Sequence, residues 1–309
     1  MNKQIIFIDG KFVPAEEAKV SVMTHGLQYG TGCFEGIRAY YNEEEKALYA
    51  FRLDDHFKRF LNSCKTLFIS LPYSVDELSA ITVDLLKKNY SETDIYIRPF
   101  AFKSDTVVGN FNLASLKNSV SIYTVAMGRY LKSEAEGIKA NVSSWRRIND
   151  NSIPPRAKVT GSYINTALAK TESILNGYDE AIFLDHKGHA VEGSAENLFI
   201  IKNNTLITPP VSDDILQGIT RETIMLLVND EVKLPIVERS IGRTELYTAD
   251  EVFLVGTGAE VAPVIEIDKR AIGDGTVGPQ TRKIKDLYFK LVHGELKQYS
   301  HLFTKIEKN

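Results

Sequence analysis

Residues 153–163 read I-P-P-R-A-K-V-T-G-S-Y. Pro154 and Pro155 fix a turn, since each ring locks φ and removes a backbone donor. Beyond the turn, the spacing of apolar residues predicts a helix over 162–175. Before it, 138–145 reads as a strand. Lys158 therefore stands on a short, stiff connection between a strand and a helix. An amine held there, and partly desolvated, could lose its proton and condense with an aldehyde. The plainer reading is a solvated turn lysine, which this stretch alone favours.

Further along the chain the same alternation continues. Strands are expected over 180–185, 190–201, 205–207 and 252–256, and helices over 220–229, 242–247 and 279–295. In the other direction lies a polar stretch, 128–137, suited to a linker. Before that, 4–9 and 11–13 read as a strand pair about Gly10, and 36–41 and 47–52 as strands. Leu53, Phe57, Phe60, Leu61, Cys64 and Leu67 recur at helical spacing over 53–68. A second helix is expected over 75–89 and strands over 95–102 and 120–127. Interleaved strands and helices place the chain in the α/β class, built of α+β domains. The expected division is a smaller domain over 1–127, an interdomain loop over 128–137, and a larger domain over 138–309 that carries Lys158.

Bulk properties exclude several classes of protein. A chain of 309 residues suits two domains. Hydrophobic residues make up 43% and the net charge is only -3, so the chain has a core and no electrostatic footprint for nucleic acid. No stretch is apolar for long enough to span a bilayer. The opening M-N-K-Q-I-I-F-I-D-G reads as a strand and turn, not a secretion signal. Cys33 and Cys64 lie far apart in sequence and support neither a disulfide framework nor a thiolate metal site. A reducing cytoplasm is the expected setting. The N-x-S/T matches at Asn89, Asn141 and Asn203 carry no weight there.

Two motifs fail. Gly273-Asp-Gly-Thr-Val-Gly278 matches a dinucleotide fingerprint but runs into Pro279 rather than following a strand, so it reads as a turn before the last helix. His186 and His189 sit on a hairpin turn without a third ligand nearby in sequence, and no metal is expected.

Other segments gain meaning together. Arg59 could ion-pair with Asp55 one helical turn away, or could fork onto a phosphate. G-I-T-R-E-T (218–223) opens a helix; its glycine and the first amides, at Ile219 and Thr220, could cradle an anion. G-T-G-A-E (256–260) offers a second small-residue loop. Glu192, in E-G-S-A-E-N (192–197), stands in a Gly/Ser-rich break within a strand and could accept from a protonated ring nitrogen. Tyr96 and Arg98 share one strand face, since side chains alternate. Tyr29, Phe34, Arg38 and Tyr40 add aromatics and a cation.

These stretches, with H-G-L-Q-Y-G-T-G-C-F-E-G-I-R (25–38), Y-I-R-P (96–99), K-V-T-G-S-Y (158–163) and T-P-P (208–210), resemble the branched-chain aminotransferases, within the class IV (fold type IV) pyridoxal 5′-phosphate (PLP) enzymes. They occur in that family's order and span nearly the whole chain. The resemblance implies two domains with PLP between them. It also implies a homodimer, or a higher homo-oligomer, whose active site borrows side chains from the partner. Lys158 becomes the Schiff-base lysine and proton shuttle, and Glu192 the partner of the pyridine nitrogen. Arg59, Ile219, Thr220, Gly256 and Thr257 would hold the phosphate, with Tyr163 near the phenolic oxygen. Tyr96 and the amides of Thr257 and Gly258 would take the substrate's α-carboxylate, and Arg98 the second carboxylate of glutamate. Phe34, Gly36, Tyr29, Arg38 and Tyr130 would line the substrate pocket. The implied activity is transamination between L-leucine, L-isoleucine or L-valine and 2-oxoglutarate.

The chain departs from the family at two loops. Met127 stands where many bacterial members carry tryptophan, and Asn110 where a small apolar residue is common, so side-chain preference is the least determined property. Other chemistries on this scaffold remain as alternatives: a D-amino-acid aminotransferase, an (R)-amine transaminase, or an aminodeoxychorismate lyase. Y-I-R-P with G-T-G-A-E favours the L-branched-chain activity. A PLP-binding protein without turnover is disfavoured by the intact Lys158, Glu192 and Arg59 set, and a nicotinamide dehydrogenase by the failure of the Gly273–Gly278 match.

Overall fold

The computed structural model describes residues 4–127 and 136–308. The chain divides into two compact units. The first comprises Met1–Gly128, Ala157–Gly161 and Leu291–Asn309; the second comprises Arg129–Arg156 and Ser162–Lys290.

In the first unit the strands are β1 (Ile5–Ile8), β2 (Lys11–Pro14), β3 (Gly32–Phe34), β4 (Ile37–Asn42), β5 (Ala47–Phe51), β6 (Ile95–Lys103) and β7 (Asn118–Ala126), together with the strand Phe303–Glu307. They form one eight-stranded sheet in the order Phe303–Glu307, β5, β4, β6, β7, β1, β2, with β3 also paired to β6. The helices are α1 (His25–Tyr29), α2 (Leu53–Thr66) and α3 (Val75–Lys88). α2 buries Leu53, Phe57, Phe60 and Cys64, the residues whose spacing predicted it. α3 begins at a capping box: Ser74 Oγ accepts from Glu77 N (3.2 Å) while Glu77 Oε2 accepts from Ser74 N (2.7 Å), which satisfies two donors at the helix start.

The second unit contains β8 (Ile138–Arg146), α4 (Tyr163–Leu175), β9 (Glu180–Leu184), β10 (His189–Gly193), β11 (Asn197–Lys202), β12 (Thr205–Thr208), α5 (Ile219–Leu227), β13 (Ile236–Glu238), β14 (Ile241–Gly242), α6 (Arg243–Tyr247), β15 (Glu251–Gly256), β16 (Glu260–Ile267), β17 (Arg270–Ala271) and α7 (Pro279–Val292). The main sheet order is β13-β12-β11-β15-β16-β8-β9-β10-β14. Because β10 also pairs with β11, the strands from β11 round to β10 close into a ring. The core of this unit is aliphatic and includes Ile138, Ile182, Leu198, Ile200, Leu254 and Ala262, all buried. Closure removes edges that would otherwise invite pairing with another chain. No described helix is long and apolar enough to cross a membrane.

Three expectations need correction. First, division by chain order puts Lys158 in the larger domain, but Ala157–Gly161 belongs to the first unit. Local pairing outweighs chain order: Val159 bridges Cys33, Gly161 N donates to Gly30 O (3.1 Å), and Thr160 Oγ1 donates to Gly30 O (2.7 Å). Second, 190–201 is two strands, not one with a break. Gly193 N donates to Glu196 O (2.7 Å), which closes a tight turn and sets Glu192 opposite Asn197. Third, Glu260–Ile267 and Phe303–Glu307 are strands that the pattern did not predict. Pro263 interrupts the first as a signal, yet it pairs in register with Phe253. The expected loop 128–137 lies mostly outside the described residues, as does Tyr130.

Candidate active site

In the first unit, Lys158 is fixed through its main chain. Its N–H donates to Ser63 Oγ (3.1 Å), and its carbonyl accepts from Phe34 N (3.0 Å). Lys158 Nζ lies 5.0 Å from the centroid of the Phe34 ring. The Arg98 guanidinium lies 4.3 Å from the same ring, so Phe34 presents its electron-rich face to two cations.

Alternation along β6 brings Arg98 beside Tyr96, and Arg98 Nη2 donates to Tyr96 Oη (2.9 Å). Arg98 Nε is buried and has no hydrogen-bond partner among the described residues. A Cβ on Gly36 would stand 2.2 Å from Tyr96 Oη, so glycine is what lets the tyrosine hydroxyl sit there. Arg38 faces Tyr96 across β4 and β6, and its Nη2 donates to Met127 O (2.9 Å). The Tyr29 ring packs on His25 (4.6 Å) and Phe111 (5.2 Å), beside the loop that holds Asn110. The Asn110 side chain is engaged in its own turn, donating to Ser115 Oγ (3.2 Å) and accepting from Asn112 N (3.1 Å).

Arg59 does not pair with Asp55, which is held by Arg52 (2.8 Å) and Lys58 (3.4 Å). Its partner is Glu35, a residue the sequence reading passed over. Arg59 Nε donates to Glu35 Oε1 (2.7 Å) and Nη2 to Oε2 (2.8 Å). His56 Nδ1 also meets Glu35 Oε2 (2.8 Å). Burial pushes the Glu35 carboxyl up, but the Arg59 charge and the bonds from His56 and Arg59 outweigh it and hold the group well below the ordinary carboxylate range. Burial pushes the His56 pKa down, against the pull of Glu35. His56, Arg59 and Ser63 stand at positions i, i+3 and i+7 of α2, so they share one helix face. That polar stripe beside an apolar face was a readable signal.

In the second unit, Glu192 is buried and held on both oxygens. Oε1 accepts from Asn197 Nδ2 (2.9 Å) and Leu216 N (2.9 Å); Oε2 pairs with Arg147 Nη2 (2.8 Å). Asn197 also packs on Gly218, where a Cβ would stand 1.8 Å from Asn197 Oδ1. Gly218 begins α5 with no side-chain cap, and Ile219 and Thr220 are buried in its first turn. Gly256 ends β15, and Thr257 and Gly258 form the turn that returns the chain at Glu260. Tyr163 opens α4.

Glu196 is a second buried carboxyl in this region. Its pKa is pushed up to about 8, first by burial and then by the charge of Glu180; the Ala195 N–H and Lys170 oppose the shift, and Glu192 adds to it. The two histidines of the failed metal motif face separate carboxylates: His186 lies 3.7 Å from Asp214, and His189 lies 3.3 Å from the buried Asp185, whose Oδ1 closes the hairpin.

Residues 32–267 match the family described as amino-transferase class IV. The chain is 49% identical over 300 residues to the probable branched-chain-amino-acid aminotransferase of Aquifex aeolicus, covering 97% of this chain and 96% of that one. It is similar to a crystal structure of branched-chain aminotransferase from the thermophilic archaeon Thermoproteus uzoniensis with norvaline, at TM-score 0.93 and 44% identity, over 98% and 99% of the two chains. It is also similar to a solved branched-chain amino acid aminotransferase complexed with N-(5′-phosphopyridoxyl)-L-glutamate, whose source is abbreviated T.th., at TM-score 0.92 and 38% identity, over 98% and 99%.

Proposed function

We propose, for a chain that belongs to the class IV aminotransferases, that it transfers amino groups between L-branched-chain amino acids and 2-oxoglutarate with PLP as cofactor. The reading follows the activity named for its relatives and the ligands named in their structures, norvaline and a phosphopyridoxyl-glutamate adduct. The observation that carries it within this chain is Lys158, its main chain held at both ends and its amine over Phe34.

The residues present suit PLP. A phosphate needs a forked cation and oriented N–H groups, and Arg59 and the uncapped start of α5 are of that kind. A protonated ring nitrogen needs a carboxylate, and Glu192 is kept in place by Arg147. PLP supplies an aldehyde that condenses with amines and a ring that accepts the electron pair left at the substrate Cα.

The chain's own groups do the rest. Nζ of Lys158 takes the proton from Cα and returns it to the adjacent cofactor carbon. Glu192 keeps the ring nitrogen protonated. Arg59, with Ile219, Thr220, Gly256 and Thr257, holds the phosphate, and Tyr163 meets the phenolic oxygen. Tyr96, with the amides of Thr257 and Gly258, receives the α-carboxylate, and Arg98 the second carboxylate of glutamate. Phe34, Gly36, Tyr29 and Arg38 border the substrate side chain. We place the protein in the cytoplasm as a homodimer or higher homo-oligomer; its two cysteines are free, as suits a reducing compartment.

The test is spectroscopic. L-Leucine, D-alanine and an (R)-amine are added separately to the purified protein while the visible cofactor band is followed, and glutamate is assayed after addition of 2-oxoglutarate. Conversion by L-leucine with glutamate formed is expected. Conversion by D-alanine alone would overturn the proposed substrate, and the absence of any cofactor band would overturn the cofactor.

A further inference from the structure

We propose that Glu35 is the positioning residue for the cofactor's phosphate, acting through Arg59. The inference rests on the reading of Arg59 as a phosphate ligand.

Glu35 sits between β3 and β4, where its N–H donates to Pro99 O (2.9 Å) and fixes its backbone against β6. Its side chain is 0% exposed, and that of Arg59 is 13% exposed. A carboxylate in such a place is costly unless it is paired and hydrogen-bonded. Glu35 is satisfied from two sides, by the Arg59 fork and by His56.

A guanidinium is planar and carries five N–H groups in a rigid fork. Glu35 takes the edge formed by Nε and Nη2. The opposite edge, formed by Nη1 and the second hydrogen of Nη2, must therefore point away from Glu35. The buried carboxylate sets the direction in which Arg59 presents its remaining donors. Ser63 Oγ donates to Arg59 O (3.0 Å), so the main chain of Arg59 is fixed as well as its side chain.

The pairing makes a sharp distinction in charge. Glu35 cancels the formal charge of Arg59, so this pair offers a phosphate aimed N–H dipoles rather than net positive charge. Two ideas then give opposite signs for the isosteric change Glu35→Gln. If charge controlled phosphate affinity, removing the anion would strengthen binding. If aim controls it, binding weakens.

The experiment uses the full-length protein stripped of cofactor, titrated with PLP and, separately, with pyridoxal, which has the same ring and aldehyde but no phosphate. Binding is read from the visible band and from quenching of protein fluorescence. The quantity of interest is the ratio of the two dissociation constants, because general loosening of the fold moves both together. Glu35→Gln is expected to weaken PLP binding on the order of tenfold, the usual cost of losing an orienting partner, while pyridoxal binding stays nearly constant. Glu35→Asp, which keeps the charge but shortens the reach, is expected to shift the ratio in the same direction. An unchanged ratio in both variants, or tighter PLP binding in Glu35→Gln, would overturn the proposal. A wild-type protein that bound pyridoxal as well as PLP would instead overturn the phosphate reading beneath it.

Discussion

Lys158 and Ser63 are joined by a hydrogen bond of 3.1 Å from the lysine's backbone N–H to the serine hydroxyl, and that hydroxyl in turn donates to Arg59 O at 3.0 Å. One side chain thus ties the lysine's turn to the helix of the proposed phosphate arginine. Ser63→Ala leaves the Lys158 N–H without its acceptor. We expect a loss of about 1 kcal/mol in stability, and a larger loss in kcat than in substrate affinity. Thermal unfolding together with steady-state kinetics on L-leucine checks it. An unchanged kcat would show that Lys158 is held adequately without Ser63.

Arg98 sits over Phe34 with its Nε buried and unbonded among the described residues. Arg98→Leu should raise the KM for 2-oxoglutarate by about 1.5–3 kcal/mol equivalent, the range for a hydrogen bond to a charged group. The KM for L-leucine, which lacks a second carboxylate, should change much less. Equal effects on both substrates would remove Arg98 from the discrimination between them.

Glu196 predicts a pH dependence of stability. Its folded-state pKa of about 8 lies above the ordinary 4.5, so between these values the folded chain keeps a proton that the unfolded chain releases. Its contribution is therefore fully present below about pH 4.5 and is lost as the pH rises through about 8. Glu196→Gln removes that loss. The variant should gain about 2 kcal/mol over the parent between pH 5 and 9, less than the whole shift would give because Glu180 and Glu192 titrate with it. Urea unfolding at a series of pH values measures the difference; parallel curves for the two proteins would refute the assignment.

Gly218 has an ordinary φ of -73°, so glycine is not there for backbone freedom. It is there because Asn197 Oδ1 occupies the place of its Cβ. Gly218→Ala must displace Asn197 and, with it, a hydrogen bond to Glu192. A stability cost of about 1–3 kcal/mol is expected from the overpacking. Cofactor affinity should fall as well. Both are read from thermal melts with and without added PLP, and a melt unchanged in either condition would refute the coupling.

Much of this was written in local pattern. The face of α2 and the alternation of β6 follow from spacing, and Tyr96 and Arg98 fall together as that alternation requires. The residues that orient others were less legible. Arg59 has a plausible neighbour in Asp55, and nothing in the sequence says that its carboxylate comes from Glu35, 24 positions earlier. Arg147 and Asn197 were passed over for the same reason: their meaning lies in what they hold, Glu192 and Gly218, and those contacts exist only after folding. The division of the chain failed similarly. A turn of five residues, Ala157–Gly161, carries no sign that its pairing partners lie near Gly30 and Cys33.

The strand Phe303–Glu307 has a consequence for the order in which the protein can be finished. It pairs along the whole of β5, from Phe51 to Ala47. A ribosome delivers β5 early, yet must make all of the second unit before it delivers the strand that covers it. Throughout that interval β5 is an open edge with unpaired backbone donors and acceptors, the kind of surface on which nascent chains stick to one another. The unit that begins first is completed last, and a chain cut short anywhere before Phe303 would keep that edge bare.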